Sequence, residues 1–235
     1  MYVTTVVLSQ LFQALPLLAQ WGAAFFLSAR EENFLVSRRY SVSASLPFQR
    51  KVRLAGNNME TSRTVRSTYD LTTDELAQIR ELMTVAFEGD FSESDWEHSL
   101  GGQHALIRYG SSVVAHASVV PRTLWVDQSV FNAGYVEAVA VLPEHQKQGL
   151  GTAVMRMLEP VLEVFDFCAL STGEHRFYER LGWERWRGPT FVRLDGEDVR
   201  TADEDDGIMI RRTKKTGRLS LASEIVCEPR TGDDW

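Results

Sequence analysis

The run Val139-Ala140-Val141-Leu142-Pro143-Glu144-His145-Gln146-Lys147-Gln148-Gly149-Leu150-Gly151-Thr152 joins an apolar strand to a helix through a loop with glycines two residues apart. Such a loop aims successive backbone N–H groups and the positive end of the helix dipole at one point, and glycine lets a ligand approach the main chain closely. A phosphate group is the ligand this suits. Neither a dinucleotide fingerprint with its third glycine nor a Gly-Lys-Ser/Thr phosphate loop is present. Read alone, the two glycines also fit a tight strand-to-helix turn without a ligand.

Working outward, strand-like runs precede the loop: His104 to Tyr109, Val113 to Val126 and Val130 to Leu142, joined by Gly110-Ser111-Ser112 and Asp127-Gln128. They predict an antiparallel meander. Before it, Arg63 to Tyr69 reads as a strand, and Thr72 with Glu75 reads as a capping box opening a helix with Leu76, Ile79, Leu82, Met83, Ala86 and Phe87 on its buried face. A second short helix runs from Ser92 to Leu100. After the loop, Leu150, Val154, Met157, Leu158, Val161 and Leu162 line a helix that Pro160 should kink or shorten. Asp166–Leu170, Phe191–Leu194, Ile208–Arg211 and Leu219–Val226 read as strands, and Glu174–Arg180 as a helix. This order predicts an α+β domain, one central mostly antiparallel sheet with helices on both faces.

The chain has 235 residues, 44% hydrophobic and 24% charged, which excludes low-complexity and wholly disordered classes. Its charge is uneven. Residues 1–58 hold six basic side chains (Arg30, Arg38, Arg39, Arg50, Lys51, Arg53) and two acids, so of the total −7 they carry +4 and the remainder −11. A body this acidic disfavours nucleic acid and suits a cationic partner. Met1 to Ala29 is uncharged, but Ser9, Gln10, Gln13, Pro16 and Gln20 interrupt it, and no basic start precedes it. Residues 1–58 are expected to be a weakly structured extension ahead of a domain at 59–235; membrane association of residues 1–29 and a small packed helix are the alternatives. Cys168 and Cys227 provide neither a disulfide framework nor metal-ligand spacing, in keeping with a cytoplasmic location. The histidines show no ligand pattern, and no metal is implied.

The Q-x-x-G-x-G stretch after Val139-Ala140-Val141-Leu142 resembles the acyl-CoA pyrophosphate loop of the GNAT N-acetyltransferase superfamily. That resemblance implies an α/β/α acyl-CoA N-acyltransferase fold with a splayed sheet. It places pantetheine along Val139, Ala140 and Val141, and the pyrophosphate at Gln146, Gln148, Gly149, Gly151 and Thr152. The segments Glu88–Phe91, Asp95–His98, Leu100–Ala105, Gly134–Val139, Gly182-Trp183 with Trp186–Gly188, and the ending Cys227 to Trp235 are similar, in order, to aminoglycoside 2'-N-acetyltransferases. The similarity covers about residues 65–235. It implies transfer of acetyl from acetyl-CoA to an aminoglycoside by direct attack of the amine in a ternary complex, and a homodimer.

On this resemblance Glu137 acts as base through a bound water, and Tyr178 as the acid for the departing thiolate. Read from residues alone, Glu137 is equally a solvent-facing strand residue, and Tyr178 a core tyrosine. The resemblance also brings Asp90, Asp95, Ser171, Asp205, Asp206, Asp233 and the C-terminal carboxylate of Trp235 to the cationic substrate. Ser171 stands closer to Tyr178 than the family's spacing places it, and the run Asp203–Asp206 also reads as a solvated loop. Cys168 falls in a buried strand and needs no covalent role. Two rivals remain open: a GNAT enzyme for another small amine, and a non-catalytic acyl-CoA-binding domain.

Overall fold

The capping box at Thr72 forms. The Thr72 hydroxyl accepts from the Glu75 amide at 3.2 Å, and the Glu75 carboxylate accepts from the Thr72 amide at 2.9 Å. It starts α1 (Thr73–Ala86), which buries Ile79, Leu82 and Met83. Ser92 and Asp95 repeat the device at α2 (Glu93–His98). The computed structural model describes residues 60–235. The expectations for residues 1–58 lie outside the described residues. Among the described residues no helix is long and apolar enough to cross a membrane.

β1 (Thr61–Ser67), β2 (Gln103–Tyr109), β3 (Ser112–Val126) and β4 (Ser129–Val141) pair in succession, all antiparallel. Between β3 and β4, Asp127 and Gln128 both hold positive φ, 47° and 63°, the backbone form that matches the twist of a two-residue hairpin. The meander is therefore present. On one side of it β5 (Phe167–Ser171) lies parallel to β4, followed outward by β9 (Ile208–Arg212) and β6 (Glu184–Arg185). On the other, β10 (Ile225–Cys227) joins β3 to β7 (Thr190–Leu194), with β8 (Glu197–Arg200) at the edge. Among the described residues only β4–β5 and β7–β10 pair in parallel.

Consecutive residues of β2 serve opposite layers, as a period of two requires. Ala105 and Ile107 meet α3 (Leu150–Leu162) through Val154, Leu158 and Leu162, whereas Leu106 meets α1 and α2 through Leu82, Met83 and Trp96. Helices thus cover both faces. Pro160 sits inside α3, and the helix stops two residues beyond it at Leu162. The expected strand over 219–226 shrinks to Ile225–Cys227, because the preceding serines close a turn in which the Ser223 amide bonds to the Ser220 carbonyl. Two short strands escape the sequence pattern: β6 has two residues, and β8 is exposed throughout.

The pairing of β4 with β5 covers three residue pairs, Ala133 with Phe167, Gly134 with Cys168 and Tyr135 with Ala169. A Cβ at Gly134 would stand 2.5 Å from the Phe165 ring, so only glycine lets that ring cross the strand here. Beyond Tyr135, β4 bonds to β3 alone while β5 follows β9. The sheet opens into a wedge.

Candidate active site

One wall of the wedge is β4 from Val136 to Val141, whose main chain on the β5 side has no partner strand among the described residues. Val139 and Val141 are half-buried there and Ala140 is buried behind them. The strand leads into the glycine loop. Gly149 caps α3 at φ +80° with no side-chain cap, and Lys147 also holds a left-handed φ of 59°. The amides of Lys147 through Thr152 donate to no other described residue. Gln146 donates through its side-chain amide to the Val141 carbonyl at 3.3 Å, and Gln148 to that of Glu144 at 3.2 Å, which braces the loop from below. A Cβ at Gly149 would meet nothing within 4 Å. Free amides at the positive end of a helix with open space before them fit the pyrophosphate of an acyl-CoA.

The opposite wall comes from α4 (His175–Glu179), which follows β5. A Cβ at Gly151 would stand 3.4 Å from Phe177, so this glycine seats α4 against the loop. The Tyr178 ring packs edge-on to Phe177 at 4.9 Å and to Trp183 at 6.0 Å. Its hydroxyl makes no hydrogen bond to a described residue. Burial first, and the Glu174 charge second, push the phenol pKa above its ordinary range, so the hydroxyl keeps its proton at neutral pH.

Glu137 lies on β4 with 17% of its side chain exposed, 2.6 Å from Arg230 Nη1. Burial raises its pKa; Arg230 and then Arg122 oppose that rise, and Asp95 adds to it. Arg230 comes from the C-terminal tail, which is docked. Arg122 donates to the carbonyls of Glu228 at 3.0 Å and Asp234 at 2.8 Å, and the Arg230 amide donates to the Asp234 carboxylate at 2.9 Å. Both guanidinium groups lie over the Tyr135 ring, at 4.7 and 5.4 Å. Trp235 is 5% exposed, and its indole N–H donates to the Thr201 hydroxyl at 3.1 Å.

The acidic candidates separate. Asp205 accepts from the Thr190 amide and hydroxyl, both at 3.0 Å, and from Arg200, so it ties the β7–β8 hairpin to the following loop. Glu204 is half-buried beside it: burial, then the charges of Asp233, Asp203 and Asp234, raise its pKa. Asp233 is exposed within that group. Asp206 is exposed, and its carbonyl accepts from His175 at 2.6 Å. Asp95 caps α2 by accepting from the Ser92 amide at 2.7 Å and its hydroxyl at 2.8 Å, and Asp90 is exposed beyond α1. Ser171 faces Gly207, where an added Cβ would stand 2.8 Å from its Oγ. The Cys168 thiol is pushed up to about 12, chiefly by burial, and stays protonated. Among the described residues no cluster of side chains could hold a metal ion.

Residues 68–186 match the acetyltransferase (GNAT) domain family. The chain is 39% identical over 196 residues to the aminoglycoside 2'-N-acetyltransferase of Mycolicibacterium fortuitum, covering 81% of this chain and 100% of that protein. The chain belongs to the aminoglycoside 2'-N-acetyltransferase family of the GNAT enzymes. This GNAT enzyme is an acetyl-CoA-dependent N-acetyltransferase. Its fold is similar to that of the GNAT family N-acetyltransferase YhbS of Escherichia coli, solved in complex with CoA, with a TM-score of 0.53 at 13% identity over 74% of this chain and 93% of that one. Sequence reasoning missed Arg122 and Arg230, the partners of the tail and of Glu137, in this acetyltransferase, and left open which of Asp203 to Asp206 turns inward. The one available signal was Arg122, the single Lys or Arg in the fifteen-residue run of β3.

Proposed function

We propose that the enzyme acetylates the 2'-amine of an aminoglycoside, by direct attack of that amine on the thioester in a ternary complex. The observation that carries this reading is the docked, acid-bearing tail: its Arg230 holds Glu137, its Asp234 carboxylate accepts from the Arg230 amide, and the charges of Asp233 and Asp234 reach Glu204. A substrate with several ammonium groups is held by such carboxylates, while a substrate with one amine needs fewer. Acetyl-CoA supplies the activated acyl group when bound. The loop amides from Lys147 to Thr152 orient its pyrophosphate, and the β4 edge from Val139 to Val141 aligns its arm.

Glu137 then removes the proton that the attacking nitrogen sheds as the N–C bond forms, through a water. Arg230 opposes the rise that burial imposes on the carboxylate pKa and so favours the ionised form a base needs. Tyr178, protonated at rest, carries the proton that the sulfur needs as the C–S bond breaks. Asp233 binds the distal ammonium groups with Glu204, beside the docked Trp235; Asp90, Asp95, Ser171 and Asp206 line the approach.

Replacing Glu137 by Gln is expected to lower kcat by about 10²–10⁴-fold and to leave acetyl-CoA affinity within a factor of about two. A thiol-release assay over aminoglycosides, amino sugars and polyamines tests the substrate class. Turnover confined to a simple amine would replace this reading with that of another small-molecule GNAT enzyme, and turnover of none with that of an acyl-CoA-binding domain.

A further inference from the structure

Two histidines that the reaction leaves unused are fully buried, and chemistry alone orders their hydrogen bonds. Thr68 Oγ1 lies 2.7 Å from His104 Nε2, His104 Nδ1 lies 2.9 Å from His116 Nε2, and His116 Nδ1 lies 2.8 Å from the Ala138 carbonyl oxygen. A carbonyl only accepts, so His116 Nδ1 carries a hydrogen. Burial holds both rings neutral, with pKa values of about 4 for His104 and about 3 for His116, where the His104 charge adds a smaller push. His116 Nε2 is therefore bare and accepts from His104 Nδ1. His104 Nε2 is bare in turn and accepts from the Thr68 hydroxyl, which itself accepts from the Gly101 amide at 2.9 Å. The chain runs in one direction, from Gly101 N–H to Ala138 O.

Ala138 is an unusual place for it to end. Between the pairs His116–Ala140 and Ser118–Glu137, β3 has one residue and β4 has two, which defines a bulge. Ala138 adopts φ +50° there, a conformation that residues with a side chain seldom take. The bulge inverts the strand's alternation. Val136 faces the α3 layer, and a plain period of two would send Val139 and Val141 to the other side. Instead Val139 and Val141 pack on the α3 layer, and Ala138 and Ala140 on the α1 layer. Two successive carbonyls at the inversion accept from β3 side chains: Glu137 from the Ser118 hydroxyl at 3.1 Å, and Ala138 from His116.

We propose that Thr68, His104 and His116 form a positioning chain for acetyl transfer, holding the Ala138 carbonyl so that the bulge fixes both the direction of Glu137 and the acyl-CoA-binding edge beyond it. The inference rests on the reading of Glu137 as base and of Val139 to Val141 as the CoA edge. His116 is a positioning residue, since it acts only through the main chain of β4.

The test compares His116→Leu, which removes the donor to Ala138, with His116→Asn, whose side-chain amide can stand near the position of Nδ1. A misplacement of catalytic groups by about 1 Å costs up to about 10²-fold. His116→Leu is expected to lower kcat by about that factor and to weaken CoA binding by calorimetry about tenfold. His116→Asn should recover most of both. Equal losses in the two variants, or a folded His116→Leu with unchanged kcat and CoA affinity, overturn the proposal. In a Glu137→Gln background the kcat effect of His116→Leu should vanish, whereas a general loss of structure would multiply. If Glu137→Gln alone retains full kcat, the assignment of the base fails while CoA affinity still judges the chain. If His116→Leu does not fold, Thr68→Val carries the test, with a smaller loss in the same direction expected and no loss overturning the proposal.

Discussion

Trp235 ends the chain, yet it is 5% exposed and hydrogen-bonded to Thr201. The main chain before it is held by Arg122 at the Glu228 and Asp234 carbonyls. Truncating a buried Trp to Ala costs about 3–5 kcal/mol when the site stays packed. Here the loss falls on the docking of residues 228–235, because β10 remains paired on both sides. A shift of about 3 kcal/mol changes the ratio of docked to free tail by about two orders of magnitude. An undocked tail takes Asp233 and Asp234 away from Glu204, and Arg230 away from Glu137. Trp235→Ala and deletion of Trp235 are therefore both expected to raise KM for aminoglycosides by about tenfold to a hundredfold. KM for acetyl-CoA should stay within about a factor of two, since no tail residue bonds to the glycine loop. Steady-state thiol release, with each substrate varied at saturation of the other, reads this split. An unchanged aminoglycoside KM in both variants, or equal rises for the two substrates, would refute the reasoning.

Arg230→Met should move the acidic limb of the kcat/KM profile to higher pH, because burial of Glu137 is then opposed by Arg122 alone; Arg230→Lys should leave the limb nearly in place, and a limb that ignores both changes would remove Glu137 as the titrating base. Gly149→Ala introduces a Cβ that meets no protein atom but at φ +80°, so thermal unfolding should register only about 1–2 kcal/mol, while calorimetry should show a loss of CoA affinity of at least about tenfold. His104 and His116 have folded pKa values below the ordinary 6.5, so their buried neutral form contributes stability that is complete above that pH and is lost as pH falls toward 4 and 3. The loss reaches about 3 kcal/mol for one ring by pH 4. Urea unfolding at pH 7 and pH 4.5 should show a smaller drop for His116→Asn than for the wild type; parallel curves would count against the burial account.

The parts of the fold that sequence could show are those with local causes. Both capping boxes, the meander with its Asp127-Gln128 turn, and the strand–loop–helix around Gly149 each depend on residues within a few positions of one another. β6 and β8 lack that support, β6 being two residues long and β8 exposed throughout, and their pairing is decided by β9 and β7. Within Asp203–Asp206 no local rule says which carboxylate turns inward. Thr190 decides it from another strand by taking Asp205 as its acceptor. Arg122 reaches the Asp234 carbonyl across 112 positions of chain, and Arg230 reaches Glu137 across 93, so neither partnership leaves a spacing to read. The histidines had no ligand spacing and looked unremarkable one by one. Only their diagonal placement on β2 and β3, beneath the bulge, gives them a shared task.

The three residue pairs between β4 and β5 have a mechanical consequence. Glu137 stands on one side of this junction, and Tyr178, carried between β5 and β6, stands on the other. Past the junction β4 and β5 make no further strand pairing with each other. A rotation about so short a junction would be magnified at the mouth of the wedge. A long ligand lying along the opening would touch both arms and act as a splint, so the distance between Glu137 and Tyr178, the two groups proposed to handle protons, would be set in part by the molecule about to be cleaved.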